Sequence, residues 1–364
     1  MFGERAFAGR KAKMVVMSAL SDPGAPRRGA TMREVAALAG VSIKTVSRVV
    51  RGEGGVSPEL TARVADAAAM LDYRHNLAAS TLRGHGQKTA AIGLLLMDVA
   101  NPYASALHRA VEDFAHGRGT LVFAVSTDED PVRQREVLDA LLSRRVDGLI
   151  VMPVGTDHGL LLREQQRGTP IVFVDRGPAV AGIDSVTADN RDGARRAVEH
   201  LAAHGHRRIA YLGDLQSIWT AAERYAGYVE GLARTGVTLD PALVRTDLHS
   251  PAAAEAAAEA LLSGPGRPTA LFSAQNMITL GALRAIQKRG LHNEIALIGF
   301  DDLPLAELLH PALTAVAQDP GAIGHTAAEI LFTRLDGDSS RPRHEVIPTR
   351  LLVRGSGEIA PDDR

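Results

Sequence analysis

The chain is 364 residues long, 45% hydrophobic and 4% aromatic, with a formal net charge of −1, enough apolar material for two or three domains with cores of their own. It has no cysteine, which excludes disulfides, thiolate catalysis and Cys-ligated metal and fits a reducing compartment; no apolar run approaches the roughly 20 residues of a membrane span. Residues 1–88 hold 14 Lys and Arg against 7 Asp and Glu, leaving the remainder at −8, and a basic head on an acidic body points to a polyanionic partner for the head.

Arg5, Arg10, Lys11 and Lys13 precede the apolar stretch "MVVMSAL" (14–20), which imitates a signal peptide. That stretch is at the minimum length and no small-x-small cleavage site follows, so residues 1–30 read as a disordered or misassigned tail. Thr31 then opens "TMREVAALAG", with Glu34 at capping-box spacing, and a helix over about 32–39 ends at Gly40. Ser42 caps a second helix running to about 50. Its apolar Val46, Val49 and Val50 turn inward and leave Ile43, Lys44, Ser47 and Arg48 outward. A third helix starts at "SPEL", with Ser57 as cap and Pro58 at the first helical position, and buries Leu60, Val64, Ala67, Ala68 and Leu71. Helices joined by the tight turn "AGVS" form a helix-turn-helix pattern over 31–75, whose second helix is the one such motifs place in the major groove.

From Ala90 the texture changes to apolar strands alternating with amphipathic helices. Strands are predicted at 90–97, 121–126, 148–154, 170–175, 208–213, 270–274 and 295–300, with helices at 104–116, 131–144, 191–204, 221–235 and 277–289. Near-continuous apolar strands in such an alternation mean parallel sheets covered on both faces, and seven of them suggest an α/β core of two doubly wound lobes. The core spans about 89–357: lobe one is 89–187 plus 315–338, lobe two is 188–313 plus 339–357, and 358–364 is a tail. Ligands in such folds bind beyond the carboxyl ends of strands or between lobes. There the sequence offers many hydroxyl-binding donors and acceptors and its single Trp, Trp219.

The strings "TMREVAALAGVSIKTVSRVV", "SRRVDGLIV", "HGHRRIAYLG", "ERYAGY" and "IGFDDLPLAELLHPALTAVAQ" occur in this order, and by them the chain resembles the LacI/GalR family of transcriptional regulators from Thr31 to about Gly357. The resemblance implies a two-lobed, periplasmic-binding-protein-like core behind an all-α DNA-binding head. It implies a cytoplasmic homodimer, a repressor, that binds a palindromic double-stranded DNA operator and answers to a small effector, a sugar or sugar derivative. Ile43, Lys44 and Arg48 would read bases, Lys and Arg suiting guanine and Ile a thymine methyl. Thr31, Ser42, Thr45, Ser47, Ser57 and Asn76 would hold phosphates, although a hydroxyl in such a place can equally be a plain helix cap. The segment "HNLAASTLRG" (75–84), within a hinge and linker at 76–88, resembles the family's hinge helix: Leu82 would be the minor-groove wedge, with Ala78 and Ala79 letting two hinges approach. His75 and Ser80 depart from the family there. In the core the resemblance points to Tyr103, Asp128, Arg176, Trp219, Arg224, Asn276 and Asp301 as effector contacts, Arg224 and Asp301 foremost. Ala104 stands where many members carry an aromatic, and Asn276 where a carboxylate is usual.

Competing chemistry is thin. His200, His204 and His206 at i, i+4 and i+6 could present two imidazoles to zinc, but no further ligand is evident. "RGEGG" (51–55) follows a helix rather than a strand, and "RGSGE" (354–358) lacks nucleophile-elbow spacing. No nucleophile, base and oxyanion hole assemble, so no enzyme activity, metal or cofactor is expected. A periplasmic sugar-binding protein would account for the core alone and leave the DNA-reading head without a use.

Overall fold

The computed structural model describes residues 30–50, 54–73, 88–177, 182–264 and 266–361. The chain divides into two compact units, 1–87 and 88–364.

In the first unit, α1 (Met32–Ala39), α2 (Ile43–Val50) and α3 (Pro58–Met70) pack around Val35, Ala36, Ala39, Val46, Val64 and Ala67. The α1 cap is reciprocal: Thr31 N–H donates to Glu34 Oε2 at 2.6 Å and Glu34 N–H to Thr31 Oγ1 at 3.4 Å. Gly40 ends α1 at φ +64°, and Arg63 reaches over from α3 to donate to the Ala39 carbonyl at 2.7 Å.

The second unit holds two six-stranded sheets. Sheet one is built from β1 (Ala91–Leu96), β2 (Leu121–Ser126), β3 (Gly148–Val151), β4 (Ile171–Val174), β5 (Asp184–Ala188) and β11 (His344–Ile347), in the order β11-β5-β4-β3-β1-β2. Sheet two is built from β6 (Ile209–Leu212), β7 (Val244–Arg245), β8 (Ala270–Ser273), β9 (Ala296–Phe300), β10 (Thr314–Ala317) and β12 (Arg350–Leu352), in the order β12-β10-β9-β8-β6-β7. Strand for strand the orders correspond, and every pairing is parallel except β10 with β12. Alternate side chains feed opposite faces: Ile92, Leu94 and Leu96 of β1 enter one cluster with Val172 and Val174, while Leu95 enters another with Ile171 and Phe173.

The helices cover both faces. Lobe one carries α4 (Pro102–His116), α5 (Pro131–Ser143), α6 (Gly159–Gln166) and α11 (Pro320–Leu335); lobe two carries α7 (Asn190–Ala203), α8 (Trp219–Arg234), α9 (Pro251–Ser263) and α10 (Asn276–Lys288). The chain therefore passes between lobes three times, at 188–190, 317–320 and 347–350. This corrects the expected division. Residues 314–317 belong to the second sheet and 344–347 to the first, because the polar, exposed β11 pairs with β5 from 159 residues away. Two crossings are tied together: Thr349 N–H donates to Asp189 Oδ1 at 2.7 Å, and Arg196 donates to Thr349 Oγ1 at 2.7 Å.

Each lobe contains a helix crossing too close for a side chain. A Cβ on Gly227 of α8 would stand 2.2 Å from the Arg191 carbonyl oxygen of α7, and one on Gly324 of α11 would stand 2.5 Å from that of Leu107 in α4. Gly227→Ala should therefore cost about 1–3 kcal/mol, read as a lower midpoint of thermal unfolding; an unchanged midpoint would contradict the crossing.

His206 is buried, with Nδ1 2.9 Å from Thr269 Oγ1 and Nε2 2.8 Å from the Ile359 carbonyl, and burial holds its pKa below the ordinary imidazole value. The folded chain keeps the ring neutral while the unfolded chain takes up a proton near pH ~6.5. The stability this site contributes is complete above that value and is lost as pH falls below it. The unfolding midpoint should fall between pH 7.5 and 5, less steeply in His206→Gln than in the native chain.

Candidate functional site

On the first unit, Ile43 is 46% exposed and Lys44 is exposed, both in the first turn of α2. Ser47 and Arg48 are half-buried rather than outward, and the Arg48 guanidinium donates to the Gly54 carbonyl. The hydroxyls expected to hold phosphates have partners within the fold. Thr31 serves the capping box, Ser42 Oγ accepts from Thr45 N–H at 3.1 Å and lies 2.9 Å from Thr45 Oγ1, and Ser57 Oγ accepts from Leu60 N–H at 3.3 Å. Each marks a helix N-terminus, where backbone N–H groups and the helix dipole favour an anion. Asn76, Ala79 and Leu82 lie outside the described residues.

On the second unit, the carboxyl ends of the two sheets face one another across a cleft enclosing a cavity of about 50 Å³. Five of the seven expected residues line it: Tyr103, Arg176, Arg224, Asn276 and Asp301. Arg224 is buried. Its Nε donates to Asn190 Oδ1 at 2.8 Å and Nη1 to the Ala274 carbonyl at 2.8 Å, with Nη1 3.5 Å from Asp301 Oδ2 and the guanidinium 3.9 Å from the Phe300 ring centroid. Asp301 also accepts from Gln318 Nε2 at 2.6 Å. Arg176 donates to both carboxylate oxygens of Glu129, and to the Pro153 carbonyl at 2.6 Å. Asn276 pairs with Asn101 rather than standing free.

Asp128 and Trp219 do not line the cavity. Consecutive left-handed residues at 128 and 129 turn Asp128 outward to pair with Arg133 and bring Glu129 in. Trp219 opens α8 with its indole against Gly177, where a Cβ would stand 2.5 Å from Cε2, while its neighbours Ile218 and Thr220 line the cavity. Asp175 and Asn101 also line the cavity; both stand just past strand ends, where the sequence places its hydroxyl-binding groups, without being singled out as effector contacts, and Asp214 and Gln318 were passed over. Asp175 carried a usable signal, since it follows β4 as Asp301 follows β9 in the corresponding lobe.

The cleft's electrostatics follow from burial. Burial raises the Asp175 carboxyl above the usual carboxylate range against the opposing pull of Arg176 and Arg224. Burial, then the charges of Asp175 and Asp301, push the Tyr103 phenol well up. Among the described residues, three buried polar atoms of the lining lack a hydrogen-bond partner: Tyr103 Oη, Arg176 Nε and Gln318 Oε1. Two are donors and one is an acceptor, a set that the hydroxyls of a polyol can satisfy together.

The three histidines considered for zinc, His200, His204 and His206, are spent on separate partners. His200 Nε2 lies 2.5 Å from Glu358 Oε1, His204 Nδ1 lies 2.8 Å from the His200 carbonyl, and His206 is bonded as described. Among the described residues no group of three or more His, Cys, Asp or Glu could hold a metal, and no helix is long and apolar enough to cross a membrane.

Comparison with known proteins agrees with this architecture. The family model described as bacterial regulatory proteins, lacI family, matches residues 31–76, and that of a periplasmic binding protein-like domain matches 198–357. The chain is 36% identical over 338 residues to the HTH-type transcriptional regulator PtxS of Pseudomonas aeruginosa, covering 91% of this chain and 97% of that protein. It is 30% identical over 335 residues to the HTH-type transcriptional repressor PurR of Mannheimia succiniciproducens, covering 91% and 100%. Among solved structures, the lac repressor dimer bound to operator and the anti-inducer ONPF superposes with a TM-score of 0.80 at 29% identity, over 91% of this chain and 99% of that one. The chain belongs to the lacI family of bacterial regulatory proteins.

Proposed function

We propose that the protein is a dimeric, cytoplasmic transcriptional repressor, without catalytic activity, that binds a palindromic operator and whose grip on it is set by a small neutral effector, a sugar or sugar derivative, held between the core lobes. The observation that carries the effector reading is the set of buried atoms without a hydrogen bond, Tyr103 Oη, Arg176 Nε and Gln318 Oε1, around one cleft. Each such atom costs about 1–3 kcal/mol, which a hydroxyl-bearing guest recovers. Arg224 and Asp301 present a donor fork and a carboxylate to vicinal hydroxyls.

For DNA, Ile43 and Lys44 are the outward members of the reading helix, and Arg48 joins them if its guanidinium exchanges the Gly54 carbonyl for a base edge. The caps Thr31, Ser42 and Ser57, with Thr45 and Ser47, set register on phosphates. Asn76, Ala79 and Leu82 keep the hinge role their sequence suggests. Exposed apolar residues suit a second copy: Leu121 (66% exposed) and Phe123 (41%) on edge strand β2, with Leu305 and Leu308 beyond β9.

Two experiments test the reading. Against operators selected from random DNA, Lys44→Ala and Arg48→Ala should lose about 1–3 kcal/mol of discrimination at individual positions; a uniform loss over all sequences would remove their base-reading role. In a thermal-shift screen of neutral monosaccharides, disaccharides and nucleosides, Tyr103→Phe should fold at least as stably as the native chain, because it removes a buried hydroxyl that makes no hydrogen bond within the cleft. It should bind any hit about 2- to 12-fold more weakly, the worth of one hydrogen bond; undiminished binding would place the effector elsewhere.

A further inference from the structure

Asn101 and Asn276 meet from opposite lobes. Asn101 is the N-cap of α4, and its Oδ1 accepts from Tyr103 N–H at 3.0 Å. Asn276 is the first residue of α10, and its Oδ1 accepts from Met277 N–H at 2.7 Å. With each oxygen pinned to the start of its own helix, the face of each amide is set and each NH₂ group points to the other lobe. Asn101 Nδ2 donates to Asn276 Oδ1 at 3.2 Å, and Asn276 Nδ2 donates to Asn101 Oδ1 at 2.9 Å. Both side chains are buried, at 6% and 2% exposure, so water does not compete for the two bonds.

We propose that this reciprocal amide pair is a latch between the lobes, which positions Tyr103 opposite Arg224 and Asp301 and sets the fraction of molecules in the effector-competent, closed arrangement. The proposal rests on the cleft being the effector site and assigns that site's regulation. Both bonds run between protein atoms, so the latch acts independently of any guest. Apparent effector affinity then scales with the closed fraction.

The pairing is specific to two amides. A carboxylate at either position still accepts from its own helix and from the opposite NH₂, but it cannot donate. One of the two bonds is lost, and an amide oxygen is left facing a carboxylate oxygen at hydrogen-bond distance. Asn101→Asp and Asn276→Asp are therefore isosteric and keep both helix-terminal acceptors, while each removes one of the two cross-lobe donors and sets a negative charge against the opposite amide oxygen.

The chain has no cysteine, so one cysteine can be introduced on an exposed helix position of each lobe, at Asp139 and Gln287, and spin-labelled in the full-length protein. Labelled chains diluted into excess unlabelled chains report only distances within one subunit. With no compound added, the native pair should give a distribution dominated by its short component. Each Asp variant should lose much of that component to longer distances, and the double variant, with two carboxylates opposed, should lose more. Unchanged far-UV circular dichroism identifies the shift as opening rather than unfolding. A native distribution already dominated by long distances, or Asp variants indistinguishable from native, would overturn the latch. Because no effector enters the measurement, these outcomes are separable from failure of the cleft as an effector site, which the Tyr103→Phe binding result decides.

Discussion

A guanidinium buried among apolar side chains must find acceptors, and Arg224 finds them on three separate segments: Asn190 at the start of α7, the Ala274 carbonyl after β8 and Asp301 after β9. Stripping a partner from a buried charge costs about 3–5 kcal/mol, so this side chain fixes the floor of lobe two. Its reach to Asn190 depends on how closely α8 lies on α7, and that closeness depends on Gly227 one turn further along. A backbone without a side chain at one position thus sets the geometry of a charged group three residues away.

Lobe one answers the same problem differently. The two sheets share a strand order, and Asp175 and Asp301 follow corresponding strands at φ +68° and +69°. Both N–H groups donate to the neighbouring strand, at 3.0 Å to Val186 and 2.9 Å to Val316. Left-handed backbone costs a non-glycine residue about 1–2 kcal/mol, and here it aims a carboxylate into the cleft from each lobe. The lobe-one cation, Arg176, is neutralised by Glu129. The cleft lining then carries Glu129, Asp175, Asp214 and Asp301 against Arg176 and Arg224, a balance that repels an anionic guest and leaves a neutral polyol unopposed.

Much of this fold is legible in the sequence because burial on both faces writes itself as apolar runs. The strand predicted over 121–126 matches β2 residue for residue, and Thr31, Gly40, Ser57 and Pro58 mark helix boundaries by capping chemistry alone. What stayed hidden was non-local or polar. Strand β11 was placed in the wrong lobe because its residues are solvated and its partner is β5, far away in the chain. Asp128 was expected in place of Glu129 because two consecutive left-handed residues leave no compositional trace. Trp219 was expected to stack on a guest because an aromatic near a strand end suggests it, whereas Gly177 gives its ring a protein surface to lie on. Asn276 stood out as an amide in a carboxylate's place, but its partner Asn101 lies 175 residues away and no local pattern links them.

The latch and the unpartnered atoms act on one equilibrium in opposite directions. Closing the lobes forms two amide hydrogen bonds, which favours the closed arrangement. It also strands Tyr103 Oη, Arg176 Nε and Gln318 Oε1 away from water, which disfavours it. The two contributions oppose one another and narrow the gap between the closed and open arrangements, so that a ligand of modest differential affinity moves a population. A hydroxyl-bearing guest satisfies the stranded atoms without breaking the amide pair, so its binding energy is realised only when the lobes are closed. A shift in lobe arrangement of this kind is what a repressor needs from an effector that never touches DNA.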